Sequence, residues 1–123
     1  MALSPFENTI LSGLFGDPEL AGWLSEDADI KAMLRFEAAL AEAQAELGLI
    51  PADAASAVSA LCADFAPDMD QLRKGVAQDG VIIPNFVKQL RAALPEHAAK
   101  HVHFGATSQD AIDTGLVLRL API

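Results

Sequence analysis

The chain has 123 residues, of which 52% are hydrophobic and 20% charged, a balance that excludes disorder and suits one domain with a modest core. Its formal charge of −9 argues against nucleic acid as a partner, because binding to nucleic acid rests on basic patches. The single cysteine, Cys62, excludes an internal disulfide; no apolar run approaches membrane-spanning length and no secretory signal is evident, so a cytoplasmic protein is expected.

The opening stretch contains Pro5, Gly13, Gly16 and Pro18, too many breakers for a long helix. Phe6, Ile10, Leu11, Leu14, Phe15, Leu20, Trp23 and Leu24 supply apolar bulk, expected to come from short helical turns packed over a neighbour. Asp17-Pro18 and Ser25-Glu26-Asp27 have the chemistry of turns and caps.

From about residue 29 to 47 the spacing predicts the clearest helix. Ile30, Met33, Leu34, Ala38, Ala41, Ala45 and Leu47 or Gly48 lie near one face, and Lys31, Arg35, Glu42 and Glu46 face water. Its alanines favour helix and permit close contact with another helix. Glu37 falls close to the apolar stripe. As a carboxylate there it is a candidate acid, but the favoured reading is a rim residue paired with Arg35 or with a neighbouring chain. Gly48 supplies the stop, and Pro51 opens the next helix at its first position.

A second helix is predicted over about 52–63 with Val58, Leu61 and Cys62 inward, and a third begins at Pro67-Asp68 with Met69, Leu72 and Val76 as its stripe. These are scaffold. Val81-Ile82-Ile83 has the composition of a strand, but Pro84 ends it and Phe86, Val87, Leu90 and Leu94 follow at helical spacing. The segment therefore reads as a loop entering a helix that stops at Pro95.

The most informative stretch is His101 to Leu120. His101-Val102-His103-Phe104 reads as extended, which points both imidazoles the same way. Gly105-Ala106 allows a turn, Thr107 is a helix N-cap, and Asp110 sits where a capping box needs its acid. Ile112, Leu116 and Leu120 then mark the predicted apolar stripe. Hydroxyls, an amide side chain and free backbone N–H groups thus collect at a helix start, which suits a carboxylate or phosphate. The plainer alternative is a capped helix after a turn. His97 lies in a polar turn and is expected at the surface; a zinc site on His101 and His103 lacks a third ligand.

The order His103-Phe104-Gly105-Ala106-Thr107-Ser108-Gln109-Asp110, followed by Ile112-Asp113-Thr114, resembles an N-terminal segment of the fumarase/aspartase superfamily. Phe36-Glu37-Ala38-Ala39-Leu40-Ala41-Glu42-Ala43-Gln44 is similar to that superfamily's first long helix. Within the superfamily, Gly-Ala-Thr-Ser-Gln-Asp and the Ile83-Pro84 to Leu90 segment are similar to the cycloisomerases that lactonize 3-carboxy-cis,cis-muconate in protocatechuate catabolism. Adenylosuccinate lyases more often carry Gly-Leu-Thr-Ser, and have a histidine near where Gln78-Asp79 stands here.

The resemblance implies an all-α chain: a single helical domain over 1–123, ending at the start of a long central helix bundle and forming the N-terminal part of a longer homotetrameric enzyme. It implies reversible lactonization of a small polycarboxylate with no cofactor and no metal. It assigns His103 to the substrate site as the catalytic histidine and Thr107, Ser108 and Gln109 to carboxylate binding; by their own chemistry, His101 either supports the site from behind or is structural, and Asp110 and Asp113 are cap and helix-face residues. Active sites of the superfamily combine three segments from three subunits, of which this chain matches the first. The second histidine segment and the mobile serine-containing loop have no counterpart here, so the isolated chain is expected to be inactive. An adenylosuccinate lyase-like fragment and a non-catalytic helical interaction module are the alternatives.

Overall fold

The computed structural model describes residues 4–123, and among them there are eight helices and no strand. They are α1 (Ser12–Phe15), α2 (Pro18–Trp23), α3 (Glu26–Glu46), α4 (Ala52–Cys62), α5 (Met69–Asp79), α6 (Ile83–Ala93), α7 (Glu96–Ala99) and α8 (Ser108–Leu120). The all-α expectation holds, and residues 81–82 lead into α6 with Pro84 in its first turn, where a missing N–H costs nothing.

Helix α3 is the axis of the domain, with α4 and α8 packed along it and α6 closing the core. It starts one turn earlier than its apolar pattern suggests. Ser25 accepts a hydrogen bond from the Ala28 N–H, and Glu26, Asp27 and Asp29 crowd the positive end of the helix dipole. Its buried positions are Ile30, Ala32, Met33, Leu34, Glu37 and Ala41; Ala38 and Ala45 are half-buried, and Leu47 is exposed. Gly48, at φ 71°, takes the left-handed conformation that stops the helix, and Pro51 caps α4 rather than opening it.

Around α3 the core is filled by Ala54, Val58 and Cys62 of α4, Leu72 of α5 and Phe86, Val87 and Leu90 of α6, with Val102 and Ala111 sealing the end near α8. Met69 and Val76, expected in the stripe of the third helix, are each 40% exposed instead. Gly75 takes the inward place one turn after Leu72, where α5 and α6 are too close for a side chain.

Two further expectations are corrected. The inward face of α8 is Ala111 and Gly115, not Ile112, Leu116 and Leu120; Leu116 and Leu120 are exposed and Ile112 is half-buried. The buried set is one position, about 100°, round the helix from the predicted stripe, because α8 lies so close to α3 that a Cβ on Gly115 would sit 3.4 Å from Met33 Cγ. Small residues are needed at that contact, and they carry little hydrophobic signal. Arg119 locks the alignment by pairing with Asp29 at 2.9 Å. In the N-terminal region the expected short turns form α1 and α2, but Phe6, Ile10, Leu14, Phe15 and Leu24 remain exposed. Among the described residues, the aromatic contact in this region is the edge-to-face pair of Phe6 with Phe15.

Candidate active site

The segment 101–105 is not extended. It is a run of turns in which Val102 plugs the core and the His101 N–H donates to the Ala98 carbonyl at 2.9 Å. His103 has φ 58°, the only non-glycine among the described residues in the left-handed region. Alternation therefore does not govern His101 and His103. The short-range pattern misleads because the turn is fixed from outside, by α3.

Two side chains of α3 reach this turn. Gln44 Nε2 donates to the Phe104 carbonyl at 2.6 Å. Glu37 Oε1 lies 2.6 Å from His103 Nδ1, and an ionised carboxylate there accepts the Nδ1–H. Glu37 is 1% exposed, the one buried charged residue of the described chain, so it is neither on a rim nor paired with Arg35. A carboxylate held out of water needs a partner, and His103 supplies it. The signal that could have found it was its place: four residues after Met33 and four before Ala41, in the middle of the buried stripe. What no local pattern reveals is a partner 66 residues away.

Beyond the turn, Thr107 caps α8 in extended conformation and forms the capping-box pair with Asp110. Asp110 Oδ2 accepts from the Thr107 N–H at 2.7 Å and from the Thr107 hydroxyl at 3.0 Å. These two bonds, and to a smaller extent the charge of His103, hold the Asp110 carboxyl below its usual range. The Gln109 side-chain amide donates to Asp113 at 2.6 Å. Thus Thr107 and Gln109 spend their side chains on the helix's own acids. Ser108, half-buried at the first helical position, keeps the hydroxyl committed to neither acid. The N–H groups of Ser108 and Gln109, like those of any first turn, have no carbonyl within the helix.

Five positions separate His103 from Ser108, the first residue of α8. His97 lies apart on the surface, 3.7 Å from Asp53. A cavity of about 260 Å³ between α3 and α5, lined by Ile30, Met69, Leu72 and Val76 among others, includes none of these groups. Among the described residues no cluster of three or more His, Cys, Asp or Glu side chains is placed to hold a metal ion, and no helix is long and apolar enough to cross a membrane.

No family model matches the chain. It is 38% identical over 117 residues to the 3-carboxy-cis,cis-muconate cycloisomerase of Pseudomonas putida, covering 92% of this chain and 28% of that protein. It is 34% identical over 100 residues to the adenylosuccinate lyase of Methanocaldococcus jannaschii, covering 81% of this chain and 22% of the relative. In three dimensions it superposes on the crystal structure of β-carboxy-cis,cis-muconate cycloisomerase from Acinetobacter calcoaceticus with a TM-score of 0.86 and 36% identity, covering 92% of this chain and 27% of that one. The chain spans about a quarter of the length of the relatives it matches. Over that quarter it shares both sequence and fold with cycloisomerases of the fumarase/aspartase superfamily.

Proposed function

We propose that the chain is the N-terminal, carboxylate-binding part of a 3-carboxy-cis,cis-muconate cycloisomerase that acts as a homotetramer in the protocatechuate branch of aromatic catabolism. The observation that supports the reading is the ordered turn in which His103, held by Glu37, precedes the first residue of α8 by five positions. Lactonization adds one carboxylate across a double bond and a proton at the adjacent carbon. Negative charge builds on the carbon beside a carboxylate, and donors preorganised on that carboxylate stabilise it.

In this reading the Ser108 hydroxyl and the N–H groups of Ser108 and Gln109 bind the carboxylate, with the positive end of α8 behind them. Thr107 and Gln109 hold the helix start in shape through Asp110 and Asp113. His103 orients or polarises the same end of the substrate. No residue of this chain is assigned to proton transfer at carbon. The reading places that group in later segments, so the isolated chain does not turn over substrate.

The competing reading is an adenylosuccinate lyase. The cycloisomerase is favoured by the Gly105-Ala106-Thr107-Ser108-Gln109-Asp110 wording and by Gln78-Asp79 in place of a histidine. The test is to express the complete coding frame that contains this segment and supply both compounds. Lactonization of carboxymuconate with no cleavage of adenylosuccinate supports the proposal; the reverse pattern, or neither reaction, contradicts it.

A further inference from the structure

We propose that Glu37 is a positioning residue for His103, and that α3 holds the 103–104 turn at two points so that Nε2 is the ring nitrogen presented to substrate. Glu37 and Gln44 are seven residues apart, two turns on one face of α3, and their polar ends meet consecutive residues of the turn. Glu37 takes the ring of His103 by Nδ1. Gln44 takes the carbonyl of Phe104. Between these two bonds lies the left-handed backbone of His103, a conformation that residues with a side chain keep only where their surroundings impose it.

The same accounting gives the ring its chemistry. With Nδ1–H spent on Glu37, Nε2 is the one nitrogen left for an outside partner. In the neutral ring Nε2 is bare and accepts a proton; in the charged ring Nε2–H donates. A substrate carboxylate at Nε2 would accept from the Nε2–H of the charged ring while Nδ1–H stays on Glu37. Both protons then stay on the ring, one on each nitrogen, and no covalent bond to substrate forms. Glu37 never meets substrate: it is buried, and acts only through His103.

The role assigned to Nε2 rests on the proposed function, whereas the grip itself is a property of this chain, and the two are tested separately. Long-range proton–nitrogen correlation spectra of the 123-residue chain report which ring nitrogen of His103 carries a proton. The expected result is a protonated Nδ1 with a slowly exchanging hydrogen, lost in Glu37→Gln, while Gln44→Ala broadens the His103 signals and leaves the helical circular dichroism unchanged. An unprotonated Nδ1 in the unaltered chain overturns the proposal without any variant having to fold, as do ring spectra identical in Glu37→Gln.

In the complete cycloisomerase, Glu37→Gln is expected to lower kcat/KM by about 100-fold, the scale of a misplaced catalytic group, with the melting temperature changed little. Unchanged kcat/KM together with the expected ring spectra overturns the positioning role alone. If turnover also survives replacement of Thr107 and Ser108, it is the reading of the site that fails.

Discussion

The carboxylate of Glu37 and the imidazole of His103 meet at 2.6 Å across 66 residues of chain, with the acid wholly inside the core. This gives His103 a structural role in the chain. His103→Ala leaves a buried carboxylate uncompensated and is expected to cost about 3–5 kcal/mol of stability. Replacing both members, as in Glu37→Leu with His103→Ala, should recover much of that loss, because the unpaired charge goes with its partner. Denaturant titration of the single and double variants checks this. A cost below about 1 kcal/mol for His103→Ala, on the scale of an exposed ion pair, would show that the pair is not buried as described.

Asp110 gives α8 a pH-dependent start. Its bonds to the Thr107 N–H and hydroxyl hold its carboxyl below the usual value of 3.8, so in the folded chain it protonates at lower pH than in the unfolded one. The stabilisation is therefore fully present above about 3.8 and is lost as the pH falls through the lower, folded value. Asp110→Asn retains an acceptor oxygen but not the charge. Its melting temperature should fall short of the unaltered chain's at pH 6 and converge with it in strong acid; a gap that widens on acidification would refute the assignment.

Cys62 is expected to be inert. Burial, with the Glu37 charge acting in the same direction, pushes its thiol up to about 12, so at neutral pH it has almost no thiolate. Alkylation by iodoacetamide at pH 8 should be negligible in the folded chain and prompt in denaturant. Rapid reaction of the folded chain would mean that α4 does not cover the thiol.

Two glycines should respond oppositely to the same substitution. A Cβ on Gly75 would lie 2.6 Å from Asn85 Cβ, and Asn85 is tied to Gln89 by a 2.9 Å bond. Gly75→Ala therefore forces α5 and α6 apart, at a cost of about 1–3 kcal/mol from overpacking. A Cβ on Gly115 meets its nearest atom, Met33 Cγ, at 3.4 Å, an ordinary contact. Gly115→Ala should be neutral or gain up to about 1 kcal/mol from helix propensity. Thermal melts of the two variants decide whether the α5–α6 and α3–α8 spacings are right.

Much of this was legible locally. Thr107 with Asp110, Gly48 and Pro84 each act within one turn of chain, and the structure uses them much as their chemistry suggests. The face of α8 was not legible, because close packing selects Ala111 and Gly115 while the larger Leu116 and Leu120 dominate any apolar pattern. Nor was the shape of the turn at 101–105, whose determinants, Glu37 and Gln44, lie on a distant helix. The resemblance supplied His103 and the helix start as a site. The long-range contacts show why that histidine needs α3 behind it.

The most direct test of the account is to measure melting and turnover on one variant, Thr107→Ala with Ser108→Ala, in the complete enzyme. Loss of a cap costs about 0.5–2 kcal/mol of stability, whereas loss of a donor to a developing anion lowers rate by about 10²–10³-fold. The account predicts a modest fall in melting temperature and a fall in carboxymuconate turnover of at least about 100-fold. Near-normal turnover beside a lowered melting temperature would mean that these hydroxyls only cap a helix, and the carboxylate-binding site would have to lie elsewhere.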